Sequence, residues 1–214
     1  MSNYTVLSIV GAGGHSRSIY SWLLQSPITY DTVQFIDAHK KDENEMIFNK
    51  PIVKIEWSEI NSILSDVYIL GIGDNQSRKV LYELLISGNK EVKGAMHQSS
   101  VYGYGTQIDT SSSIGPGVVI GPSTKIGRNC IINSGAIIEH ETIIGNHSHL
   151  APGAKIAGRV HIGDESFIGI GAVVKESLKI GNNVTVGAGS VVINDVPDNV
   201  TVVGIPAKII RMEL

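Results

Sequence analysis

Large aliphatic residues recur at every sixth position through the C-terminal half of this 214-residue chain. The series contains only isoleucine, leucine and valine; its members are Ile108, Ile114, Ile120, Ile126, Ile132, Ile138, Ile144, Leu150, Ile156, Ile162, Ile168, Val174, Ile180, Val186 and Val192. Two positions before each member the residue is small or β-branched in nearly every repeat, and the position after it is often glycine. A six-residue period fits neither an amphipathic helix, which repeats every 3.6 residues, nor an alternating strand, which repeats every two.

The six-residue period predicts a triangular β-solenoid. One hexad would form one flat side and three hexads would close a coil, so that residues 108–197 would make about five coils. Inward aliphatic side chains would stack from coil to coil, the small residue would leave room for them, and glycine would accept the backbone angles of a corner.

The N-terminal half predicts a separate α/β domain. Apolar segments at 5–10, 33–36 and 67–70 read as strands, and helical stretches at 17–24 and about 77–87 follow the first and third of them. Strands that alternate with helices indicate a small Rossmann-like parallel sheet. We therefore expect an α/β domain at 1–96 and a β-helix domain with a C-terminal tail at 97–214.

A glycine-rich turn, Gly11–Ser16, joins the first strand to the first helix. Backbone N–H groups at such a turn can bind a phosphate, although plain turn geometry is an equal alternative. Ser16 stands where a dinucleotide fingerprint has its third glycine. Asp37 ends the second strand and could bind a ribose or base edge, or cap a turn. Gly73 follows the third strand, at the sheet edge where open α/β sheets bind ligands.

Composition and charge exclude several classes of protein. Hydrophobic residues make up 42% and charged residues 17%, which predicts a packed core. The net charge of -3 argues against a nucleic-acid partner, and no apolar run is long enough for membrane insertion. The single cysteine, Cys130, occupies a small inward position and should be buried. One cysteine and no signal-peptide pattern at the start predict a cytoplasmic protein.

Histidine is the residue whose titration suits a general base near neutral pH. His140 lies next to a predicted corner and outside the core, where a solvated surface histidine is the alternative. Glu141 could orient it only if the chain bends there; Glu139 meets the same objection, and otherwise a carboxylate from another chain is needed. Gly158 lies three hexads after His140 and therefore beside it on the next coil. The other histidines of this domain include His147 and His161, which we expect at the surface.

The hexad series and the tail Val203–Lys208 resemble the hexapeptide-repeat transferases, whose left-handed β-helix domains usually form trimers. Together with the glycine-turn domain, the chain resembles the sugar acetyltransferases of the NeuD and PglD type. This resemblance implies acyl transfer from a CoA thioester, in a cleft between neighbouring prisms. The fold class is then an α/β domain followed by a left-handed parallel β-helix.

The resemblance also implies roles for individual residues. His140 would be the general base, Glu141 would orient it, and the Gly158 N–H would meet the thioester carbonyl. The remaining acetyl-CoA contacts would be His149, Ile170, Ala188 and Lys208. The substrate contacts would be Gly13, Gly14 and His15 at the phosphates, Asp37 and Gly73 at the nucleoside, and Asn133 near the reacting group.

The function expected from the sequence is acetyl-CoA-dependent N-acetylation of a UDP-linked 4-amino-4,6-dideoxy sugar by a metal-free homotrimer. Ala38 stands where the family often has a second acid, which leaves UDP and GDP both open as carriers. O-acetylation of sialic acid is the alternative within the family. A zinc-dependent β-helix hydrase and a non-catalytic binding protein are the alternatives from other classes, and the histidine spacing disfavours zinc.

Overall fold

A computed structural model of the chain describes residues 3–39 and 45–212. The chain divides into two compact units, residues 1–98 and residues 99–214. The division lies two residues beyond the boundary expected from the sequence.

The N-terminal unit contains a five-stranded sheet with the strand order β3-β4-β2-β1-β5. The strands are β1 (Asn3–Val10), β2 (Thr29–Asp37), β3 (Met46–Ile47), β4 (Lys50–Lys54) and β5 (Val67–Leu70). The helices are α1 (Gly14–Leu23), α2 (Asn75–Ser87) and a 3₁₀ helix (Trp57–Ser62). All pairings are parallel except that of β3 with β4, which forms a hairpin at the sheet edge.

The two faces of this sheet are covered by different helices. Ile9, on one face of β1, belongs to a buried cluster that includes Trp22 of α1. Val10, on the opposite face, belongs to a second cluster that includes Leu81 of α2. Since both faces are covered, the buried segment of β1 is apolar except for Ser8, as is usual for parallel sheets. Because β1, β2 and β5 are parallel, their carboxyl ends meet at one edge of the sheet, where the glycine turn begins.

The sequence prediction missed the β3–β4 hairpin and the 3₁₀ helix. Lys50, Pro51 and Lys54 give β4 neither an apolar run nor a clean alternation, so its pattern carries no strand signal. Parallel pairing with β2, rather than local preference, makes this segment a strand.

The C-terminal unit is the left-handed β-helix predicted from the hexads. Its short strands are β6 (Val101–Tyr102), β7 (Gln107–Ile108), β8 (Ser113–Ile114), β9 (Val119–Ile120), β10 (Lys125–Ile126), β11 (Ile131–Ile132), β12 (Ile137–Ile138), β13 (Ile143–Ile144), β14 (His149–Leu150), β15 (Lys155–Ile156), β16 (His161–Ile162), β17 (Phe167–Ile168), β18 (Val173–Val174), β19 (Lys179–Ile180), β20 (Thr185–Val186), β21 (Val191–Val192), β22 (Val200–Gly204) and β23 (Ala207–Met212). Each strand from β6 to β18 pairs in parallel with the strand 18 residues later. At the end of the solenoid β20 pairs in parallel with β22, 16 residues later, and β22 forms an antiparallel hairpin with β23. The solenoid begins at β6, one hexad before the predicted start.

The strands form the three sides of the prism. Face I consists of β6, β9, β12, β15, β18 and β21. Face II consists of β7, β10, β13, β16 and β19. Face III consists of β8, β11, β14, β17, β20, β22 and the returning strand β23.

The interior follows the predicted pattern of one large and one small residue per side. Ile138 and Ile156 are fully buried on successive coils, and the small residues Ala136 and Ala154 are fully buried beside them. Inward hydroxyl groups are also satisfied: the Ser148 Oγ donates to the Gly163 carbonyl at 2.8 Å. A dry core of this kind tolerates polar atoms only when each has a partner.

A ladder of Asn and Asp side chains runs along the corner that follows face II. The Oδ1 of Asp164 accepts the N–H of Asn146 at 2.8 Å, and the Oδ1 of Asn182 accepts the N–H of Asp164 at 2.9 Å. The Oδ1 of Asp198 accepts the N–H of Asn182 at 2.9 Å. Amide and carboxylate groups alternate, so neighbouring rungs do not repel one another.

In the described ranges, no helix has the length and apolar character needed to cross a membrane.

Candidate active site

The corner between faces I and II carries His140 and Glu141. Glu141 has a left-handed backbone conformation, with φ of 58°, and this bends the chain between the two residues. Because of the bend, adjacent side chains meet: the Glu141 Oε2 lies 3.0 Å from the His140 Nδ1. The geometric condition set for Glu141 by the sequence is thus met within one chain.

The hydrogen bond determines the tautomer of a neutral His140 ring. An ionised carboxylate only accepts hydrogen bonds, so the Nδ1 of neutral His140 carries the proton and donates it to Glu141. The Nε2 atom then holds the free lone pair. Both side chains are about half exposed, which leaves them accessible to a ligand.

Gly158 provides the space that the imidazole occupies. A Cβ at position 158 would lie 2.5 Å from the His140 Nε2, closer than such atoms approach in proteins. In the structured ranges, no group accepts a hydrogen bond from the Gly158 N–H. The equivalent residue one coil before His140 is Pro122, which has no N–H, so the solenoid does not require a bond at this position. Gly158 itself is buried, against the His140 ring.

Arg159 is a further charged residue at this corner, and the sequence prediction did not include it. Its Nη1 lies 3.8 Å from the same Glu141 Oε2 that bonds His140. It follows Glu141 by three hexads, and this spacing is the signal that could have identified it.

A second group of predicted residues lies on face III and the corner between faces III and I. His149 on β14 is only 8% exposed and contacts the edge of the Phe167 ring at 5.2 Å. The Asn133 Nδ2 lies 3.4 Å from the His149 Nε2. Ile170, which is 61% exposed, and Ala188 follow on later coils of that corner. Face I separates this group from His140, so a single prism does not bring the two groups together.

Lys208 is exposed on β23, whose partner β22 belongs to face III. His161 is exposed on face II, as expected. The surface position expected for His147 was wrong: it is 2% exposed, and its Nδ1 lies 2.8 Å from the Asn129 Nδ2. The cause is stacking between equivalent corner residues on successive coils. The buried position expected for Cys130 is confirmed.

The N-terminal unit has a cavity of about 300 Å³ at the carboxyl edge of its sheet. The residues that line it are Gly11, Ala12, Gly13, Gly14, His15, Asp37, His39, Trp57, Gly71, Ile72, Gly73, Ser77 and Leu81. All the predicted substrate residues of this unit are among them. Trp57 was not predicted, because nothing local in the sequence relates it to the glycine turn. Ile72 was not predicted either, although it directly precedes Gly73.

The N-terminus of α1 opens into this cavity. Gly13 is its N-cap, and in this described segment no side chain caps the helix and no acid lies in its first turn. A Cβ at Gly13, Gly14 or Gly73 would meet no atom within 4 Å, so the backbone there is open to a ligand. Open N–H groups and the positive end of the helix dipole favour an anion.

His15 is neutral at physiological pH. Burial, assisted by the positive charge of Arg78, lowers the pKa of His15 to about 4. It would therefore offer a phosphate an N–H donor rather than a full positive charge. Arg78 is buried, and its guanidinium donates to the carbonyls of Ile72 and Gly73, so that a cation lies beneath the loop after β5.

Asp37 holds the glycine turn in place. Its Oδ2 accepts the Ala12 N–H at 2.6 Å, and its Oδ1 accepts the His39 N–H at 2.7 Å. Gly71 packs against Ser16, because a Cβ at 71 would lie 2.6 Å from the Ser16 Cβ. The loop after β5 and helix α1 can therefore approach closely because of Gly71, and not because of a glycine in the fingerprint.

Among residues 3–39 and 45–212, no group of three His, Cys, Asp or Glu side chains is arranged to hold a metal ion.

Two family models match the chain. The PglD N-terminal domain matches residues 6–85, and the bacterial transferase hexapeptide (six repeats) matches residues 123–158 and 159–194. No curated protein matches the sequence at a significant level.

Several solved structures are similar over the whole chain. Perosamine N-acetyltransferase from Caulobacter crescentus, as a histidine-to-asparagine variant in complex with CoA and GDP-perosamine, is 30% identical over 95% of both chains, with a TM-score of 0.87. The acetyltransferase domain of PglB from Neisseria gonorrhoeae, in complex with acetyl coenzyme A, is 26% identical over 96% of this chain and 98% of that one, with a TM-score of 0.87. WeeI from Acinetobacter baumannii is 27% identical over 96% of this chain and 100% of that one, with a TM-score of 0.85.

The fold and the corner site define a hexapeptide-repeat acyltransferase with an N-terminal α/β domain. The sequence identity to these solved structures, and the share of each chain that is covered, narrow the class of protein further. The chain belongs to the PglD-type family of hexapeptide-repeat sugar acetyltransferases.

Proposed function

We propose that this protein transfers the acetyl group of acetyl-CoA to the amine of a nucleotide-linked 4-amino-4,6-dideoxy sugar. The observation that carries the proposal is the His140–Glu141 pair, whose free Nε2 lies over Gly158 at an exposed corner. The reaction would supply N-acetylated sugars for surface glycans or glycoproteins, in the cytoplasm, where CoA thioesters are formed.

The pair can perform the proton transfers that amide formation needs. The amine nitrogen attacks the thioester carbonyl while the His140 Nε2 accepts its proton, and the carbonyl oxygen gains the negative charge. Glu141 stabilises the imidazolium that results, and the Gly158 N–H donates a hydrogen bond to the oxyanion. Collapse breaks the carbon–sulfur bond, and the proton on His140 passes to the departing CoA sulfur.

The cavity of the α/β unit supports binding of a nucleoside diphosphate. The open N-terminus of α1, with Gly13 and Gly14, suits the diphosphate, and neutral His15 can donate a hydrogen bond to it. Asp37 and Gly73 line the same cavity, and we expect the nucleoside beside them. UDP remains the predicted carrier, and GDP is the second carrier to test, because similar enzymes from Caulobacter crescentus bind GDP-perosamine.

Acetyl-CoA would lie between two prisms of a homotrimer. Two sets of residues lie on different sides of face I: His140 with Gly158, and His149 with Ile170, Ala188 and Lys208. One site therefore needs both sets, from adjacent chains. Face I also suits self-association, because its outward column is aliphatic at all but one position. The column consists of Val101, Val119, Ile137, Lys155, Val173 and Val191. A ring of three such interfaces closes on itself.

Light scattering tests the assembly, which should have three times the chain mass of 22.9 kDa. Mixing a His140→Ala variant with a variant blocked at Ile170 should restore part of the activity, because some junctions combine two intact halves. A fully active monomer would contradict the shared site.

The reaction is tested by incubating the protein with acetyl-CoA and a panel of acceptors, followed by release of the free CoA thiol. The acceptors are UDP-linked and GDP-linked 4-amino-4,6-dideoxy sugars and free sialic acid. We expect turnover with a nucleotide-linked amino sugar, and His140→Gln should lower kcat by about 10²–10⁴-fold. His161→Gln is the matched control and should retain activity, since this exposed histidine lies on face II. Turnover of sialic acid alone would favour the O-acetyltransferase alternative.

A further inference from the structure

Trp57 is an aromatic residue in the cavity of the N-terminal unit. It lies just beyond the end of β4, three residues after Lys54, and Lys54 pairs in register with Asp37 at the end of β2. Trp57 begins the 3₁₀ helix and lines the cavity together with Asp37. Its side chain therefore lies beside the strand end where α/β domains hold a nucleoside.

The cavity has two unlike walls. One is the open N-terminus of α1, with Gly13 and Gly14, which suits an anion. The other is apolar, because Trp57 and Ile72 are partly buried and pack against the cluster that contains Leu81, which lines the cavity as well. The base is the part of a nucleotide sugar that has flat, largely apolar faces. The second wall therefore suits the base as the first suits the diphosphate.

The hydrogen bonds of this region separate the roles of Asp37 and Trp57. Both oxygens of Asp37 accept backbone N–H groups, from Ala12 at 2.6 Å and from His39 at 2.7 Å, so this carboxylate holds the glycine turn. In the described ranges, no group accepts a hydrogen bond from the Trp57 indole N–H, and this atom is not shut off from solvent. A buried tryptophan usually finds a partner for its N–H. The fold therefore uses only the apolar part of Trp57.

We propose that Trp57 and Ile72 form the wall against which the base of the carrier nucleotide packs, and that Asp37 is a positioning residue for the phosphate turn. The inference rests on the proposed function in one respect, that the ligand of this cavity is a nucleoside diphosphate. Contact between a base and an aromatic ring contributes about 10–100-fold to affinity, and every base has a π-face. The contribution of Trp57 should therefore be similar for uracil and for guanine.

The direct test is calorimetric titration of the full chain with UDP, GDP and inorganic diphosphate. Trp57→Ala should weaken UDP and GDP binding by about 10–100-fold and diphosphate binding by less than about twofold, whereas Trp57→Phe should keep most of the affinity. Asp37→Asn replaces an acceptor of the turn with an N–H₂ group, and it should weaken all three ligands by similar factors. Phe48→Ala is the matched control. Phe48 is 57% exposed on the β3–β4 turn, stacks on Tyr20 and does not line the cavity, so binding should not change.

Fluorescence gives a second measurement, because the chain has two tryptophans and Trp22 is buried. Binding of UDP should change the emission, and most of this change should be absent in Trp57→Phe.

Three results would overturn the proposal. The first is UDP binding that is unchanged in Trp57→Ala. The second is an equal loss of all three ligands in Trp57→Ala, because Trp57 would then only support the fold. The third is loss of UDP with unchanged diphosphate binding in Asp37→Asn, because Asp37 would then contact the nucleoside. If both nucleotides bind as predicted to a protein that acetylates no acceptor, the inference stands and the proposed function fails.

Discussion

Replacing Gly158 by alanine adds one methyl group directly under the imidazole of His140. The new Cβ would lie 2.5 Å from Nε2, 2.6 Å from Cε1 and 3.0 Å from Cδ2. Non-bonded atoms prefer separations of about 3.5–4.0 Å, so the ring must move by about 1 Å. The ring is the free end of an exposed side chain, and it will move in preference to the backbone. The hydrogen bond to Glu141 is lost with that movement.

The variant should therefore lose activity and retain stability. A displacement of about 1 Å at a reacting group costs about 10²-fold in kcat. Position 158 is not left-handed, and alanine reduces the freedom of the unfolded chain, so the free energy of unfolding should change by less than about 1 kcal/mol. Alanine keeps its N–H, so the proposed oxyanion donor is not removed.

Thiol release gives kcat, and thermal unfolding gives stability. Gly117→Ala is the control with the opposite behaviour: its Cβ would meet no atom within 4 Å, but its φ of 67° disfavours any Cβ. It should lower stability by about 1 kcal/mol and leave kcat near the original value. If Gly158→Ala keeps kcat within threefold of the original in a folded protein, the position of the His140 ring over Gly158 does not matter for catalysis, and our assignment of the base is wrong.

The remaining predictions concern stability. His15 has a pKa of about 4 when folded and 6.5 in the reference state, so the unfolded chain binds more protons below pH 6.5. The free energy of unfolding should then fall by up to about 3 kcal/mol as the pH falls from 6.5 to 4, and urea titrations should show a shallower fall in His15→Gln. Asn182→Asp replaces the amide that donates to Asp198 with a like charge, and the melting temperature should fall, more so at low salt than at high salt. Gly71→Ala forces a Cβ against the backbone of α1 and should destabilise the N-terminal unit by about 1–3 kcal/mol, measured by urea unfolding.

The hexad period was sufficient to predict the β-helix because one pattern is repeated along half of the chain. Each inward aliphatic supports the same inference, and the buried positions of Ile138 and Ile156 follow from phase alone. The N-terminal sheet was predictable only where strands are continuous apolar runs, as in β1 and β5. The β3–β4 hairpin has mixed composition, and long-range pairing decides its structure.

The candidate site was less predictable, because the hexad period was read from the inward side chains alone and not from the backbone at the corners. In the structure a left-handed residue recurs at every sixth position from Gly117 to Gly189. Glycine, asparagine and serine occupy many of these positions, and Glu141 is left-handed because it stands at the same phase of the hexad. Its contact with His140 depends on that conformation. Arg78 was equally hidden, since only the fold shows that this helix residue lies under the loop after β5.

The solenoid also explains why His140 can be accommodated where it is. Strands in neighbouring coils lie about 4.8 Å apart, so a corner residue has its nearest neighbours 18 positions away in each direction. For His140 these are Pro122, which needs no N–H partner, and Gly158, which has no side chain in the space that the imidazole occupies. A larger residue at 158 would expel the ring, as the 2.5 Å approach shows. The proposed chemistry therefore depends on the side chain that Gly158 lacks as much as on the histidine itself, and a hexapeptide sequence should be searched for a histidine followed by a glycine at that spacing.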